Sequence, residues 1–176
     1  HELELNCFIF DYHGYGNSSG KRPSQSRTSF DVVGAWEYLT KTKNIDPSTI
    51  ILYGHSLGGG IAGQLFNFHQ PRALILDSTF TSLREIARFR YPFFPTNLFL
   101  RIRYDTVKQL QTKVHCPVLV MHSRDDDLIP FEQGQKLFTK ANKPKDFVAL
   151  IGSHNSNFLE SGEQYKLGLK RFIGSL

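Results

Sequence analysis

Short, unbroken apolar runs alternate with amphipathic stretches along this chain. Cys7-Phe8-Ile9-Phe10, Ile50-Ile51-Leu52-Tyr53, Ala73-Leu74-Ile75-Leu76-Asp77, Val118-Leu119-Val120-Met121-His122 and Phe147-Val148-Ala149-Leu150-Ile151 have strand length and no polar alternation. Each therefore predicts a strand buried on both faces. Between them the spacing turns helical. Ser29 or Asp31 can cap a helix running to about Lys43, with Val32, Val33, Trp36 and Leu39 on its apolar face. Ser56 to about Phe68, Glu132 to Ala141 and Gly162 to Ile173 supply three more helices. Apolar strands separated by helices call for an α/β fold, a mainly parallel sheet with helices on both faces.

Residues 82–112 depart from this rhythm. Tyr91-Pro92-Phe93-Phe94-Pro95 breaks helical periodicity, and the aromatics crowded there predict a cap-like insertion over the sheet's edge. Phe89, Tyr91, Phe93, Phe94, Leu98, Phe99 and Leu100 either line an apolar acyl pocket or form the cap's own small core.

A length of 176 residues suits one domain, so a single unit over 1–176 carrying this insertion is expected. Hydrophobic residues at 40% against 21% charged exclude a disordered tail. No apolar run reaches the roughly 18 residues of a membrane span, and the first residues lack the pattern of a secretory signal. Neither observation decides the compartment. The net charge of +5 is spread from Lys21 to Arg171 without a like-charge block, so a solvated surface is expected and no nucleic-acid partner. Cys7 and Cys116 have neither a disulfide-framework nor a zinc spacing and predict buried free thiols. No metal or organic cofactor is implied. The chain does not begin with Met, which raises the expectation of a fragment of something longer.

Gly54-His55-Ser56-Leu57-Gly58 fits G-x-S-x-G directly after one predicted strand and at the start of a predicted helix, the context this motif needs. In so tight a turn, crowding at the flanking positions calls for glycine, and the serine is raised above the sheet in a strained conformation. Ser56 is the candidate nucleophile. A serine hydroxyl needs a histidine to take its proton and a carboxylate to fix that histidine's tautomer. His154, in Gly152-Ser153-His154-Asn155-Ser156 just beyond the last strand, is the candidate base. His1, His13, His69, His115 and His122 sit before or within other elements, and His55 fills the variable slot of the elbow, so these read as structural. Asp125, Asp126 and Asp127 together follow the fourth strand, where open α/β sheets place their chemistry, and Asp77 is a rival at the end of the third. The residues alone leave that choice open.

The chain resembles the α/β-hydrolase superfamily, and within it the Bem46-like branch that includes the α/β-hydrolase domain-containing 13 and 17 types. The likeness rests on Phe10-Asp11-Tyr12-His13-Gly14-Tyr15-Gly16-Asn17-Ser18-Ser19-Gly20, Tyr53 to Gly59, Asp77-Ser78-Thr79-Phe80-Thr81-Ser82 and His122 to Pro130. It implies Asp126 as the acid, the fifth residue of a segment like H-G-x-x-D-x-x-V-P. It also implies Leu57 as one oxyanion N–H donor. His13 and Ser123 stand where the family usually has arginine and glycine.

The family's first strands and the loop giving a second oxyanion donor lie upstream of the segment like residues 1–20, and their absence bears on fold and chemistry. The first predicted strand would pair directly with the second, or a strand would come from a second molecule in an exchanged homo-oligomer, or the chain belongs to a longer polypeptide. Loss of one donor costs on the order of 10²–10³ in turnover. The expected function is hydrolysis of a carboxylic ester or thioester through an acyl-enzyme, on a small acyl substrate, at a membrane surface or on an acylated protein. The rival expectations are a catalytically impaired binding or scaffold module and a peptidase or amidase.

Overall fold

The computed structural model describes residues 3–20, 22–93 and 102–176. Four strands, β1 (Ile51–His55), β2 (Ala73–Asp77), β3 (Val118–Ser123) and β4 (Lys145–Leu150), form a sheet in the order β1-β2-β3-β4. All three pairings are parallel, with Tyr53 opposite Ile75, Leu76 opposite Val120 and His122 opposite Ala149.

Uninterrupted apolar strands were expected to be covered on both faces; β2 and β3 are, while β1 and β4 at the two ends of the order are only partly buried, with Tyr53 48% exposed. Alternate side chains of β2 and β3 enter different cores. Leu74, Leu76, Val118 and Val120 join Ala62, Phe66, Leu110 and Leu137 on one face, while Ala73, Ile75, Leu119 and Met121 join Val148, Leu150 and Phe172 on the other. A third cluster, around Val32, Trp36, Ile61, Leu65 and Phe80, extends the first layer outward.

The helices of the first layer are α1 (Gln25–Glu37), α2 (Leu57–Ala62), α3 (Leu83–Arg90), α4 (Thr106–Thr112) and α5 (Phe131–Lys140). Then come α6 (Asn157–Glu160) and α7 (Gly162–Gly174), the latter carrying Phe172 into the second core. The α1 helix begins earlier than Ser29 or Asp31 would have it. Ser24 is its cap, its Oγ accepting the Arg27 N–H at 3.4 Å. Ser29 Oγ instead donates back to the Gln25 carbonyl, and the Asp31 carboxylate accepts the His13 N–H. Its last turn widens into a π-helix, Tyr38–Thr42, and the helix expected to reach Phe68 passes from α2 into a 3₁₀ turn, Gly63–Asn67. The stretch 82–112 leaves and returns at one point, where Ser82 and Asp105 bridge, and it holds α3 and α4 on either side of the residues not described.

One expected strand does not form. Cys7–Phe10 makes no ladder, Ile9 is 85% exposed, and Cys7 is exposed where a buried thiol was expected; Cys116 is buried. Among the described residues the sheet ends at β1, and this segment does not pair with it. A run of apolar side chains becomes a strand only when neighbours take its N–H and C=O groups. Here stacked rings hold it: Phe8 lies on Tyr38 at 5.7 Å, and Phe10 meets Tyr12 edge-on at 5.2 Å.

Candidate active site

β1 ends at His55 and α2 begins at Leu57, so Ser56 alone makes the turn, at φ 52° and ψ −121°. That backbone is costly for a residue with a Cβ, and it persists because its surroundings hold it. The Ser56 N–H donates to the Asp77 carbonyl at 2.9 Å, and its own carbonyl accepts the Thr79 hydroxyl at 2.6 Å. A Cβ on Gly54 would lie 2.5 Å from Gly59 Cα, and one on Gly59 would lie 2.6 Å from Thr79 Oγ1. Glycine at 54 and 59 is thus required by close approach. The same crowding was expected at Gly58 and is not found there: a Cβ would meet only the Tyr12 hydroxyl, at 3.8 Å. The tight contact falls one residue later, where the helix start passes Thr79.

From Ser56 a hydrogen-bonded chain runs across the carboxyl ends of the strands. Ser56 Oγ lies 2.9 Å from His154 Nε2, and His154 Nδ1 lies 2.8 Å from Asp126 Oδ2. A carboxylate only accepts, so Nδ1 carries the proton and Nε2 is left bare to receive the serine hydroxyl's. His154 is only 4% exposed. Asp126 Oδ1 accepts the N–H groups of Leu128 at 2.9 Å and Ile129 at 2.7 Å. Burial alone would raise this carboxyl, but the bonds from His154, Ile129 and Leu128 outweigh it and hold it below the ordinary aspartate value.

The two flanking aspartates hold the histidine's loop. Asp125 Oδ2 accepts the Gly152 N–H at 3.2 Å, and Asp127 Oδ1 accepts the His154 N–H at 2.9 Å. The backbone N–H of His154 keeps the Asp127 carboxyl below its usual range. Ser123 Oγ donates to the Gly152 carbonyl and accepts the Asp125 N–H, so the serine at the usual glycine position ties the two loops together.

Asp77 does not reach His154. Its Oδ2 accepts the hydroxyls of Tyr53 at 2.6 Å and Tyr165 at 3.0 Å, and its Oδ1 accepts that of Ser78. Burial, and then the Asp77 charge, push both tyrosine hydroxyls above the ordinary value. His55, at the elbow, has Nε2 3.3 Å from the His154 carbonyl and its ring centre 5.0 Å from that of His154.

A cavity of about 330 Å³ opens beside Asp126, with Phe89, Arg90, Arg124, Leu128, Pro130 and Phe131 among its walls. Of the aromatics expected at the site, Phe89 borders it. Tyr91 and Phe93 are 65% and 100% exposed and are not among its walls, and Phe94 and Phe99, with Leu98 and Leu100, lie outside the described residues. Among the described residues, no cluster of three metal-ligating side chains occurs, and no helix is long and apolar enough to cross a membrane.

The parallel sheet, the serine in a strand-to-helix elbow and the loops converging on it make this an α/β-hydrolase fold, the architecture of known esterases and serine hydrolases. A Pyrococcus furiosus esterase superposes with a TM-score of 0.74 at 16% identity, over 98% of this chain and 73% of that one. A puromycin-hydrolysing peptidase of Mycobacterium tuberculosis gives 0.67 at 19% identity, over 85% of this chain and 25% of that one. The chain belongs to the prolyl oligopeptidase family, whose model it matches over residues 7–159. An uncharacterised protein of Mycobacterium tuberculosis is 36% identical over 98% of this chain and 61% of its own length. The α/β-hydrolase domain-containing protein 17B of Xenopus laevis is 31% identical over 97% of this chain and 57% of its own. The chain thus spans about three-fifths of the length of these relatives.

Proposed function

We propose that this chain carries the catalytic residues of a serine hydrolase that cleaves carboxylic esters through an acyl-enzyme. One observation supports this above the others: an unbroken relay at 2.9 Å and 2.8 Å joins a strained serine to a buried carboxylate through a single imidazole. Ser56 Oγ attacks the carbonyl carbon while its proton passes to His154 Nε2. Asp126 stabilises the imidazolium that forms, and the Leu57 N–H, next after the nucleophile, donates to the developing oxyanion. The imidazolium then protonates the departing alkoxide. In the second half His154 takes a proton from water, the hydroxide cleaves the acyl–serine ester, and Ser56 recovers its hydrogen. A thioester would follow the same steps with a thiolate leaving.

Phe89, in the cavity wall beside Asp126, supports an apolar group on the substrate, such as an acyl chain presented from a membrane surface or an acylated protein. Membership of a family described by an oligopeptidase supports a second reading, amide hydrolysis by the same residues. A fluorophosphonate probe tests both. Labelling should disappear in Ser56→Ala, with kcat falling by about 10⁶, and a chromogenic short-chain ester should turn over faster than the matching anilide. Absence of labelling in the full-length protein would favour a binding module and sink the hydrolase reading.

A further inference from the structure

We propose that His122 is a positioning residue for Asp126, and that its one N–H sets the direction in which the acid faces His154. The inference rests on the hydrolase reading above and concerns the loop that carries its acid.

His122 is the one polar side chain among Val118–His122 of β3, and it is fully buried. Its Nε2 lies 2.9 Å from the Ile129 carbonyl, seven residues along the chain. A carbonyl accepts only, so the proton is on Nε2. Ile129 in turn gives its N–H to Asp126 Oδ1 at 2.7 Å. One residue of the acid's loop is therefore gripped twice, by the acid on its amide side and by His122 on its carbonyl side. The same Nε2 stands 3.6 Å from Asp126 Oδ2, the oxygen that accepts the hydrogen bond from His154 Nδ1–H. Two imidazoles thus flank one carboxylate oxygen, one bonded to it and the other bonded to the loop that aims it.

The other ring nitrogen tells the rest. His122 Nδ1 is buried and has no hydrogen-bond partner among the described residues. A side chain kept only to fill this space would be apolar, since an unpartnered buried nitrogen is a cost that an apolar residue of similar shape avoids. Room is also kept for the ring: a Cβ on Gly134 would lie 2.6 Å from His122 Cβ and 2.7 Å from its Nδ1. What a histidine supplies here and an apolar residue cannot is the Nε2–H bond to Ile129. Without it the Ile129 carbonyl is orphaned, the loop slackens, and the carboxylate leaves the line of His154 Nδ1.

Three variants separate this role from packing. His122→Gln carries an amide N–H about as far from the backbone as Nε2, His122→Asn carries one only as far as the partnerless Nδ1, and His122→Leu carries none. The readouts are the far-downfield proton resonance of the His154–Asp126 bond, identified by its loss in Asp126→Asn, and kcat and KM for a chromogenic ester across pH. The Gln variant should keep the resonance and hold kcat within about twofold, while Asn and Leu lose or shift it and drop kcat by about 10–10² with KM unchanged. A Leu variant with the resonance and kcat of the wild type overturns the proposal, and so does a Gln variant as defective as Leu. Imidazole nitrogen NMR of the unaltered protein checks it without any substitution: His122 must be the Nε2–H tautomer, and an Nδ1–H tautomer refutes it. The resonance and the tautomer are read without turnover, so retained ester hydrolysis in Ser56→Ala would sink the hydrolase reading and leave this one standing.

Discussion

Two apolar runs, Cys7–Phe10 before Asp11 and Ala73–Leu76 before Asp77, look alike on paper and end up opposite. The second is a strand with neighbours on both sides and every side chain buried, while the first makes no ladder and is exposed except at Phe10, which packs against the Val32 and Trp36 cluster. The aspartates that close them differ in the same way. Asp11 folds back on its own turn, taking the Asn17 N–H six residues ahead, while Asp77 ties in Tyr53 and Tyr165, 24 and 88 residues away. Partners distant in the chain, and not the residues of the run, decide which becomes structure. The site follows the same rule, since Ser56 and His154 are 98 residues apart.

If long-range partners carry the weight, severing one at the site should have the largest effect. Asp126→Asn should fold normally and lose about 10⁴ in kcat through the wrong histidine tautomer. Asp125→Asn and Asp127→Asn should lose only about tenfold, since each loosens the loop and leaves the relay intact. Equal losses in all three would mean that the loop's shape matters and not the acid. Next in size is the core contrast. Leu76→Ala should cost about 2–5 kcal/mol in denaturant unfolding, and Ile9→Ala within about 0.5 kcal/mol. A large loss at Ile9 would show that its own side chain is packed and not open to solvent.

The smallest effect is a pH dependence. Burial depresses His122 below the ordinary histidine value of 6.5, so the folded state leaves it neutral where the unfolded chain protonates it. The hydrogen bond to the Ile129 carbonyl, and then Asp126 and Asp77, pull the other way, and His154 adds to the depression. Stability from this residue is therefore complete above about pH 6.5 and is lost as the pH falls toward the folded value. On acidification the unfolding midpoint of the wild type should fall relative to that of His122→Gln, and a relative rise would reverse the sign.

These contrasts also mark what could be read from residues alone. The elbow was legible because glycine, serine and glycine in a strand-to-helix context have one backbone solution, and His154 because it follows the last strand. Asp126 was not separable from Asp125 and Asp127 by residue type, and family spacing alone pointed to it. The two neighbours were undervalued because their partners, the N–H groups of Gly152 and His154, belong to a loop 27 residues on. His122 passed as one more strand residue, because nothing local says that its far nitrogen meets a carbonyl. The start of α1 at Ser24 was missed because Ser29 and Asp31 are equally good caps until their bonds to Gln25 and His13 are seen. The Cys7–Phe10 run misled because pattern shows what could pair and is silent on whether a neighbour exists.

The order β1-β2-β3-β4 has a mechanical corollary. Ser56 follows the first strand and His154 the last, so the imidazole must reach back over three inter-strand gaps, about 14 Å. The acid loop of β3 props that span partway along, at Gly152 and at His154. A slip of β4 by one residue would carry the imidazole along by about 3.3 Å, more than a hydrogen bond tolerates. The contact between Ser56 and His154 at one margin of the sheet thus depends on the alignment of the strand at the opposite margin. That strand is pressed into place by α7 at Gly168, where a Cβ would sit 2.7 Å from Val148 Cγ2. A methyl group added there, remote from Ser56, would be felt at it.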